Sequence, residues 1–426
     1  MLEETLAAQS AAGTVLECGL DRPVYLIDIY SSVVRDGSRT SNDVWPPGAE
    51  TLLRSLEANK RLRAVLDLDE ETAADLAGRA PAAVEQIREG LASGRLELAY
   101  GYSRPLVAGS SGESVIRQLA RGPMALRDSL GVRAESYLLR EDRAFSQLPQ
   151  LLASLGFKRV IVATEASNRA LPFHLQGPDG SEVATAFAVY GAVGASDHAD
   201  PVGWSNERLE GFRGEMGSMT APVLCRVNGI DSPAGPTVTR AAIAARDDLR
   251  FVTPREYFQS AAPAAMRRET VVMGAGDLRA GDRPQGTIAA AEQALLLAER
   301  LDAFAYAMGR ESDEKALEQV WKDLLRAQER APPADHSQQG DEKTIAAHEA
   351  AREVAETAAK YLASHVDSSG LQGRGLVVFN PSPRPRDEYM EVTLGGEGYR
   401  ILQGGRDVAS QIVERRDGYV TLGFIA

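Results

Sequence analysis

Short apolar runs alternate with amphipathic stretches through the first 230 residues, and this alternation limits the folds open to the chain. The runs expected to form strands are residues 23–29, 62–68, 96–100, 136–139, 159–163 and 222–227. The stretches expected to form helices are residues 49–60, 70–93 with a break near Pro81, and 113–130. Strands that alternate with helices form parallel sheets covered by helices. We therefore predict an α/β fold with a (β/α) barrel-like parallel-sheet domain, whose functional residues collect at the carboxyl ends of the strands.

The composition changes twice in the rest of the chain. Residues 287–362 are rich in Ala, Leu, Glu and Lys, which favours long helices, and Pro332 and Pro333 interrupt them. From residue 371 short β-type runs follow, at 375–379, 389–393 and 418–424. We predict three domains: the α/β domain at 1–275, a helical bundle at 276–370 and the beginning of a β-sandwich-like domain at 371–426. The last is short for an independent sheet domain, so we expect it to be truncated.

The charge balance argues against a polyanionic partner. The chain has 60 acidic and 47 basic side chains, a net charge of -13 and a pI near 5.1. Nucleic acids require a basic surface, so we do not expect one as a partner. No run approaches about 18 apolar residues, and no basic and apolar leader opens the chain, so we expect a cytoplasmic protein without a membrane partner. A homo-oligomer is an open alternative to a monomer.

Several short motifs follow one another in a fixed order. They are Ser111-Gly112-Glu113-Ser114 with Arg117-Gln118, Gln147-Leu148-Pro149, Gly177-Pro178-Asp179-Gly180-Ser181, Asn228-Gly229-Ile230-Asp231, the run 320–328, and Val377-Val378-Phe379-Asn380-Pro381. Together, over residues 23–412, they resemble the motifs of glycoside hydrolase family 38, the zinc-dependent retaining α-mannosidases. The resemblance implies a carbohydrate partner, an α-mannoside as substrate class, and zinc as cofactor.

The positions that hold zinc in this family are changed here. The resemblance places the family's His-x-Asp ligands of the first strand on Leu26-Ile27-Asp28, so Asp28 is the one ligand expected to remain. The last histidine ligand corresponds to Arg330, and His336 is an alternative donor if the intervening loop folds back. An arginine stays protonated and cannot bind a cation. Zinc is therefore implied by the family, while its expected ligands are largely missing.

The catalytic carboxyl groups are the second expectation from the resemblance. Retaining glycosidases use two such groups about 5 to 5.5 Å apart. The family's nucleophile corresponds to Arg140, and Glu141 and Asp142, one and two residues further on, are alternative nucleophiles. Asp231 corresponds to a carboxylate that contacts substrate and acts as acid/base. The alternative is that Asp231 accepts hydrogen bonds within a local turn.

Five side chains are predicted to bind the substrate: Asp28, Arg140, Trp45, Tyr102 and Asn228. Arg140 paired with a carboxylate supplies a fixed positive charge where the family has a metal. Trp45 and Tyr102 are candidates to stack on a sugar ring, and burial in the core is the alternative for both.

Three functions fit these residues. The first is retaining hydrolysis of α-mannosides, with weakened or lost dependence on metal. The second is a non-catalytic relative that binds carbohydrate or serves assembly. The third is a metal-free acid/base reaction on another carbohydrate, because barrel folds host many chemistries.

Overall fold

The computed structural model describes residues 24–31, 47–68, 70–99, 111–139, 145–162, 172–190, 224–228, 244–245, 247, 249–261, 266–269, 285–328, 337–371, 373–396 and 398–426. The chain divides into two compact units. The first, called the barrel unit below, comprises residues 1–285 and 325–341. The second, called the helical and β unit, comprises residues 286–324 and 342–426. None of the described helices is both long and apolar enough to cross a membrane.

Eleven strands and six complete helices make up the described part of the barrel unit. The strands are β1 (Val24–Ser31), β2 (Ala64–Asp67), β3 (Leu96–Leu98), β4 (Ser136–Leu139), β5 (Arg159–Val162), β6 (Phe173–Gln176), β7 (Glu182–Phe187), β8 (Val189–Tyr190), β9 (Leu224–Asn228), β10 (Leu249–Phe251) and β11 (Arg267–Glu269). The helices are α1 (Pro47–Ala58), α2 (Glu70–Arg79), α3 (Pro81–Ala92), α4 (Gly112–Leu130), α5 (Leu148–Ser154) and α6 (Pro254–Ala261).

Two sheets of this unit share one run of chain. The first sheet has the order β3-β2-β1-β9-β8, and β10 pairs with the first half of β1. The second sheet has the order β11-β6-β7-β5-β4. Ala188 alone separates β7 from β8. The chain therefore runs from β7 in the second sheet directly into β8, an edge strand of the first sheet. The path from β3 through β1, β8 and β7 to β4 is parallel throughout.

Side chains from both sheets fill one interior. Tyr25, Ile27 and Ile29 alternate along β1 and pack in one buried cluster with Leu138 of β4 and Ile161 of β5. Alternate residues of a strand point to opposite faces, so these five positions mark the face that looks inward. A shared interior means that the sheets curve around one core, as the (β/α) barrel-like prediction requires.

A side-chain hydrogen bond joins β3 to β4, and an ion pair joins β3 to β5, at the amino end of the barrel. No backbone ladder pairs these two strands within the described residues. Glu97 of β3 is instead 7% exposed and accepts hydrogen bonds from the Ser136 hydroxyl, from Arg159 Nε at 3.2 Å and from the backbone N–H of Arg255 at 2.8 Å. Glu135 pairs with Arg159 at 3.0 Å and with Arg255 at 3.1 Å. We call these five residues the seam cluster. Its charges are matched internally, which indicates a structural role.

Glu135 makes the stability of the barrel unit depend on pH. Hydrogen bonds, first from Lys158 and then from Arg159, lower the pKa of Glu135 from its ordinary value of 4.5 to about 2, although burial opposes the change. A carboxylate with a lowered folded-state pKa stabilises the fold above its unfolded pKa, and this contribution is lost as the pH falls from about 4.5 towards 2. We expect Glu135→Gln to lower the free energy of unfolding by about 1 to 2 kcal/mol at pH 7, since solvent around Lys158 screens the pair.

Urea unfolding at pH 7, 4 and 2 measures this effect. The difference between Glu135→Gln and the unchanged protein is expected to shrink as the pH falls. Glu85→Gln is the matched control, because Glu85 and Arg88 form an exposed pair on α3 and contribute little. If Glu135→Gln lowers the free energy of unfolding equally at pH 2 and pH 7, the pH dependence does not come from the Glu135 carboxylate.

The helical and β unit contains most of three helices and a small antiparallel sheet. The helices are α7 (Gln285–Ala307), α8 (Glu314–Ala327) and α9 (Ser337–Ser364). Asp302, near the end of α7, accepts hydrogen bonds from Arg310, Ser312 and the backbone of Asp313, and so fixes the turn into α8. Trp321 of α8 is fully buried, and its indole N–H donates to Glu299 at 2.8 Å.

The β-rich portion has five described strands. They are β12 (Tyr389–Gly395), β13 (Ile401–Gln403), β14 (Arg406–Val408), β15 (Ser410–Arg416) and β16 (Tyr419–Ile425). The three-stranded sheet has the order β12-β16-β15, and β13 pairs with β14 as a hairpin. Val420, Leu422 and Phe424 form the buried face of the central strand. The predicted fold class, a parallel-sheet barrel followed by helices and a β-rich region, is therefore confirmed.

The individual elements agree unevenly with the sequence predictions. All six predicted barrel strands are present, and each end lies within two residues of its predicted position. The predicted strand at 375–379 is wrong, because Leu376, Val377 and Val378 are exposed and form no ladder with another described segment. The domain boundary predicted at 370/371 stays a prediction. The compact units separate at 285/286 and return residues 325–341 to the barrel unit.

Candidate functional site at the carboxyl rim of the barrel

The carboxyl ends of β1, β2 and β9 meet at one edge of the barrel. In the register of the sheet, Ser31 of β1 lies beside Asp67 of β2. On the other side of β1, Ile29 lies beside Asn228, the last residue of β9. Parallel strands with matched ends release their following loops at the same edge. This edge, which we call the carboxyl rim, is where a barrel of this kind collects functional side chains.

The predicted site residues relate to this rim through their places in the chain. Arg140 directly follows the last residue of β4, and Asp231 comes three residues after the end of β9. The backbone of Asn228 is described within β9, and only Asp28 has a described side chain. Six of the eight predicted residues lie outside the described residues: Arg140, Glu141, Asp142, Trp45, Tyr102 and Asp231. Their roles stay predictions.

Asp28 lies within β1 and not at its end. It precedes the last residue of the strand by three positions and is 1% exposed. Tyr25, Ile27 and Ile29 point into the barrel, so the alternation along β1 directs Asp28 to the face that the flanking helices cover. The Asp28 carboxylate could therefore affect a ligand at the carboxyl rim only through neighbouring groups.

Asp67 is a rim carboxylate that the sequence analysis did not select. It is the last residue of β2 and 2% exposed. Val65, two residues earlier, belongs to the interior cluster, so Asp67 lies on the inward face. The signal was present in the sequence, since Asp67 is an acid one residue before the end of the apolar run 62–68.

The first turn of α4 and the end of α8 meet near the rim. Helix α4 follows β3, so its amino terminus lies at the carboxyl end of the sheet. Ser111 caps α4 by accepting from the backbone N–H of Ser114 at 3.2 Å. The buried Gln118 side chain donates to the Leu325 carbonyl in the last turn of α8 at 3.1 Å. Gln328, directly after α8, donates to the Ser114 hydroxyl at 2.8 Å. Residues 325–328 belong to the barrel unit, so these contacts lie within that unit.

The donor set that the family resemblance assigns does not fit zinc. Leu26, in the place of a histidine ligand, is a fully buried aliphatic residue on β1. Asp28 is a carboxylate on the helix-covered face. The remaining positions carry Arg140 and Arg330, whose guanidinium groups cannot bind a cation. Among the described residues no group of three or more His, Cys, Asp or Glu side chains is arranged to hold a metal ion.

Solved structures with the same fold come from carbohydrate-active proteins. An α-mannosidase from Enterococcus faecalis V583 matches 95% of this chain with a TM-score of 0.63 and 13% identity. A glycosyl hydrolase family 38 protein from Enterococcus faecalis matches 95% with a TM-score of 0.60 and 16% identity. The α-amylase AmyC from Thermotoga maritima matches 82% of this chain and 95% of its own, with a TM-score of 0.55 and 12% identity.

These likenesses establish the fold, which is that of glycoside hydrolase family 38 proteins. The chain spans about half the length of the two Enterococcus proteins, with 54% and 52% of their residues covered. No family sequence model matches the chain, and no curated protein is similar to it in sequence.

Proposed function

We propose that this protein acts on carbohydrates at the carboxyl rim, as an α-mannosidase-like glycoside hydrolase that does not depend on zinc. The observation that carries the proposal is the match of 95% of the chain to an α-mannosidase fold. The match extends beyond the barrel into the helices and the β-rich region. The order of the sequence motifs along residues 23–412 supports the same class.

In the proposed reaction two carboxyl groups share the work. Asp231, as the acid, protonates the glycosidic oxygen while Glu141 or Asp142 attacks the anomeric carbon, so that a glycosyl ester forms and the leaving alcohol departs. Asp231 then removes a proton from water, which cleaves the ester with retention at the anomeric carbon. Arg140 supplies a fixed positive charge next to the sugar, and Asn228, Trp45 and Tyr102 contact its hydroxyls and ring.

A second candidate function is carbohydrate binding without turnover. The observation that favours it is the replacement of two ligand positions by Arg140 and Arg330 and of a third by Leu26. Arginine side chains at these positions can donate hydrogen bonds to sugar hydroxyls, but they supply no nucleophile. The likeness to an α-amylase leaves a third candidate, a metal-free reaction on another carbohydrate.

The test is hydrolysis of p-nitrophenyl α-D-mannopyranoside together with calorimetric binding of methyl α-D-mannopyranoside. Hydrolysis with retention, unaffected by a chelator, supports the proposed enzyme. Binding without hydrolysis supports the second candidate. If the protein neither hydrolyses nor binds a mannoside at millimolar concentration, the first two candidate functions are contradicted. A screen of other glycosides then tests the third candidate.

Zinc content is expected to be low, because the assigned ligands include no histidine. After loading with zinc and dialysis, elemental analysis should find well below one ion per chain, and activity or sugar affinity should be the same with and without loading. One tightly held ion per chain that is needed for activity would contradict the metal-free site.

A further inference from the structure

A cavity of about 170 Å³ opens where Glu135 precedes β4 and Arg159 begins β5. One water needs only about 10 to 15 Å³ of such space, so the cavity has room for a ligand of several heavy atoms. Its charged lining residues are Arg133, Arg159, Arg255, Glu97 and Glu135. The cavity lies at the amino ends of β4 and β5, and the carboxyl rim lies at the other end of the barrel strands. It is therefore separate from the candidate site described above.

The side chains around this cavity carry an excess of positive charge. Within the seam cluster, two carboxylates balance two arginines. Arg133 adds a third guanidinium group, which donates to the Leu155 carbonyl at 2.7 Å and forms no ion pair with the described residues. Lys158, which pairs with Glu135 at 2.5 Å, places a further positive charge nearby. The lining therefore attracts an anion and repels a metal cation.

Two of the arginines have N–H groups that no acceptor in the described part of the chain uses. Arg159 is 8% exposed, and it donates through Nε to Glu97 and through Nη2 to Glu135. Its Nη1 makes no hydrogen bond to the described residues and is not sealed from solvent. The Arg255 side chain donates to those residues only through Nη2, which leaves its Nε and Nη1 open. Guanidinium N–H groups in this position are matched by water or by the oxygens of an anion.

We propose that this cavity binds a phosphate group, free or carried by a small molecule, through Arg133, Arg159 and Arg255. A phosphate group presents three or more acceptor oxygens in a compact shape, and a guanidinium group bonds two such oxygens at once. A carboxylate has only two oxygens and so reaches fewer of the three arginines. A neutral sugar would leave the excess positive charge unbalanced. The inference does not depend on the proposed function, because the cavity lies away from the carboxyl rim.

The variants Arg133→Gln and Arg255→Gln test the proposal, because both side chains are exposed and the buried Arg159 stays in place. Isothermal titration calorimetry with sodium phosphate, at an ionic strength held constant with sodium chloride, measures the affinity. The unchanged protein should bind phosphate at millimolar concentration or below, and its melting temperature should rise with phosphate by mass action. Each variant is expected to raise the dissociation constant about tenfold, the usual effect of losing hydrogen bonds to a charged group.

The matched control is Arg88→Gln, which removes an exposed arginine of α3 that does not line the cavity. This variant should bind phosphate as tightly as the unchanged protein. Glucose 6-phosphate, titrated in parallel, separates the two sources of the ligand: tighter binding than phosphate supports a phosphorylated small molecule, and weaker binding supports the free ion. Equal affinities in all variants, an equal loss in the control, or no binding at millimolar phosphate would overturn the proposal. Mannoside hydrolysis does not enter this test, so its result is independent of the proposed function.

Discussion

Replacing Asp231 by asparagine is expected to lower kcat for an aryl α-mannoside by about 10² to 10⁴, the range supplied by a positioned general acid. Asparagine keeps the size and the hydrogen-bond acceptor but has no proton to transfer. KM should change much less, because the amide still accepts from sugar hydroxyls. Steady-state kinetics with p-nitrophenyl α-D-mannopyranoside measure both constants. Azide should restore part of the turnover if Asp231 acts as the base in the second step.

The control distinguishes a catalytic aspartate from one that closes a turn. Asp179 has the second role, since it accepts from the backbone and the hydroxyl of Ser181 between β6 and β7, and these bonds lower its pKa. Asp179→Asn should leave kcat unchanged. If Asp231→Asn keeps full activity and lowers only the melting temperature, the turn interpretation of Asp231 is correct and the acid/base is another group.

The Glu97→Ala variant of the seam cluster is expected to be less stable by about 3 to 5 kcal/mol, the usual cost of removing one partner of a buried ion pair. Arg159, itself 8% exposed, would lose its partner on β3, and the N–H of Arg255 and the Ser136 hydroxyl would lose an acceptor. Because no described ladder joins β3 to β4, the barrel has few other bonds at this position. Urea unfolding followed by far-ultraviolet circular dichroism at pH 7 measures the loss.

Two comparisons make this prediction specific. Glu97→Gln keeps the size and one of the two acceptor oxygens, removes the charge and replaces the other oxygen by a donor, so it should lose less than Glu97→Ala. Glu85→Ala breaks an exposed pair with Arg88 in the same unit and should cost under about 0.5 kcal/mol. Equal losses for Glu97→Ala and Glu85→Ala would mean that the seam cluster does not hold the barrel together.

Patterns within single elements allowed much of the barrel to be predicted. The six strands found by apolar runs have four or more residues each, except β3 with three. The strands that were missed include β8 with two residues and β10 with three, which are too short to show a period. The β6–β7 hairpin was also missed. Residues of β6 alternate between buried and half-buried, and Asp179 closes the turn between β6 and β7.

The candidate site was less accessible to sequence reasoning. Asp28 and Asp67 look alike in the sequence, as acids that accompany apolar runs. The strand alternation then separates them, since Asp67 lies on the inward face at the end of β2 and Asp28 on the outward face within β1. Gln328 is a weak signal in the sequence, because its meaning depends on Ser114, which lies 214 residues away.

The sequence by itself determined the order and type of the main elements and local features such as the Ser111 cap of α4. These depend on residues only a few positions apart, so local periodicity and hydrogen bonding encode them. The tertiary structure alone decided that β7 and β8 join two sheets, that Glu97 meets Arg159, and that Gln328 meets Ser114. Such contacts depend on which strands and helices become neighbours. Because they join residues far apart in the sequence, no local periodicity of the chain encodes them.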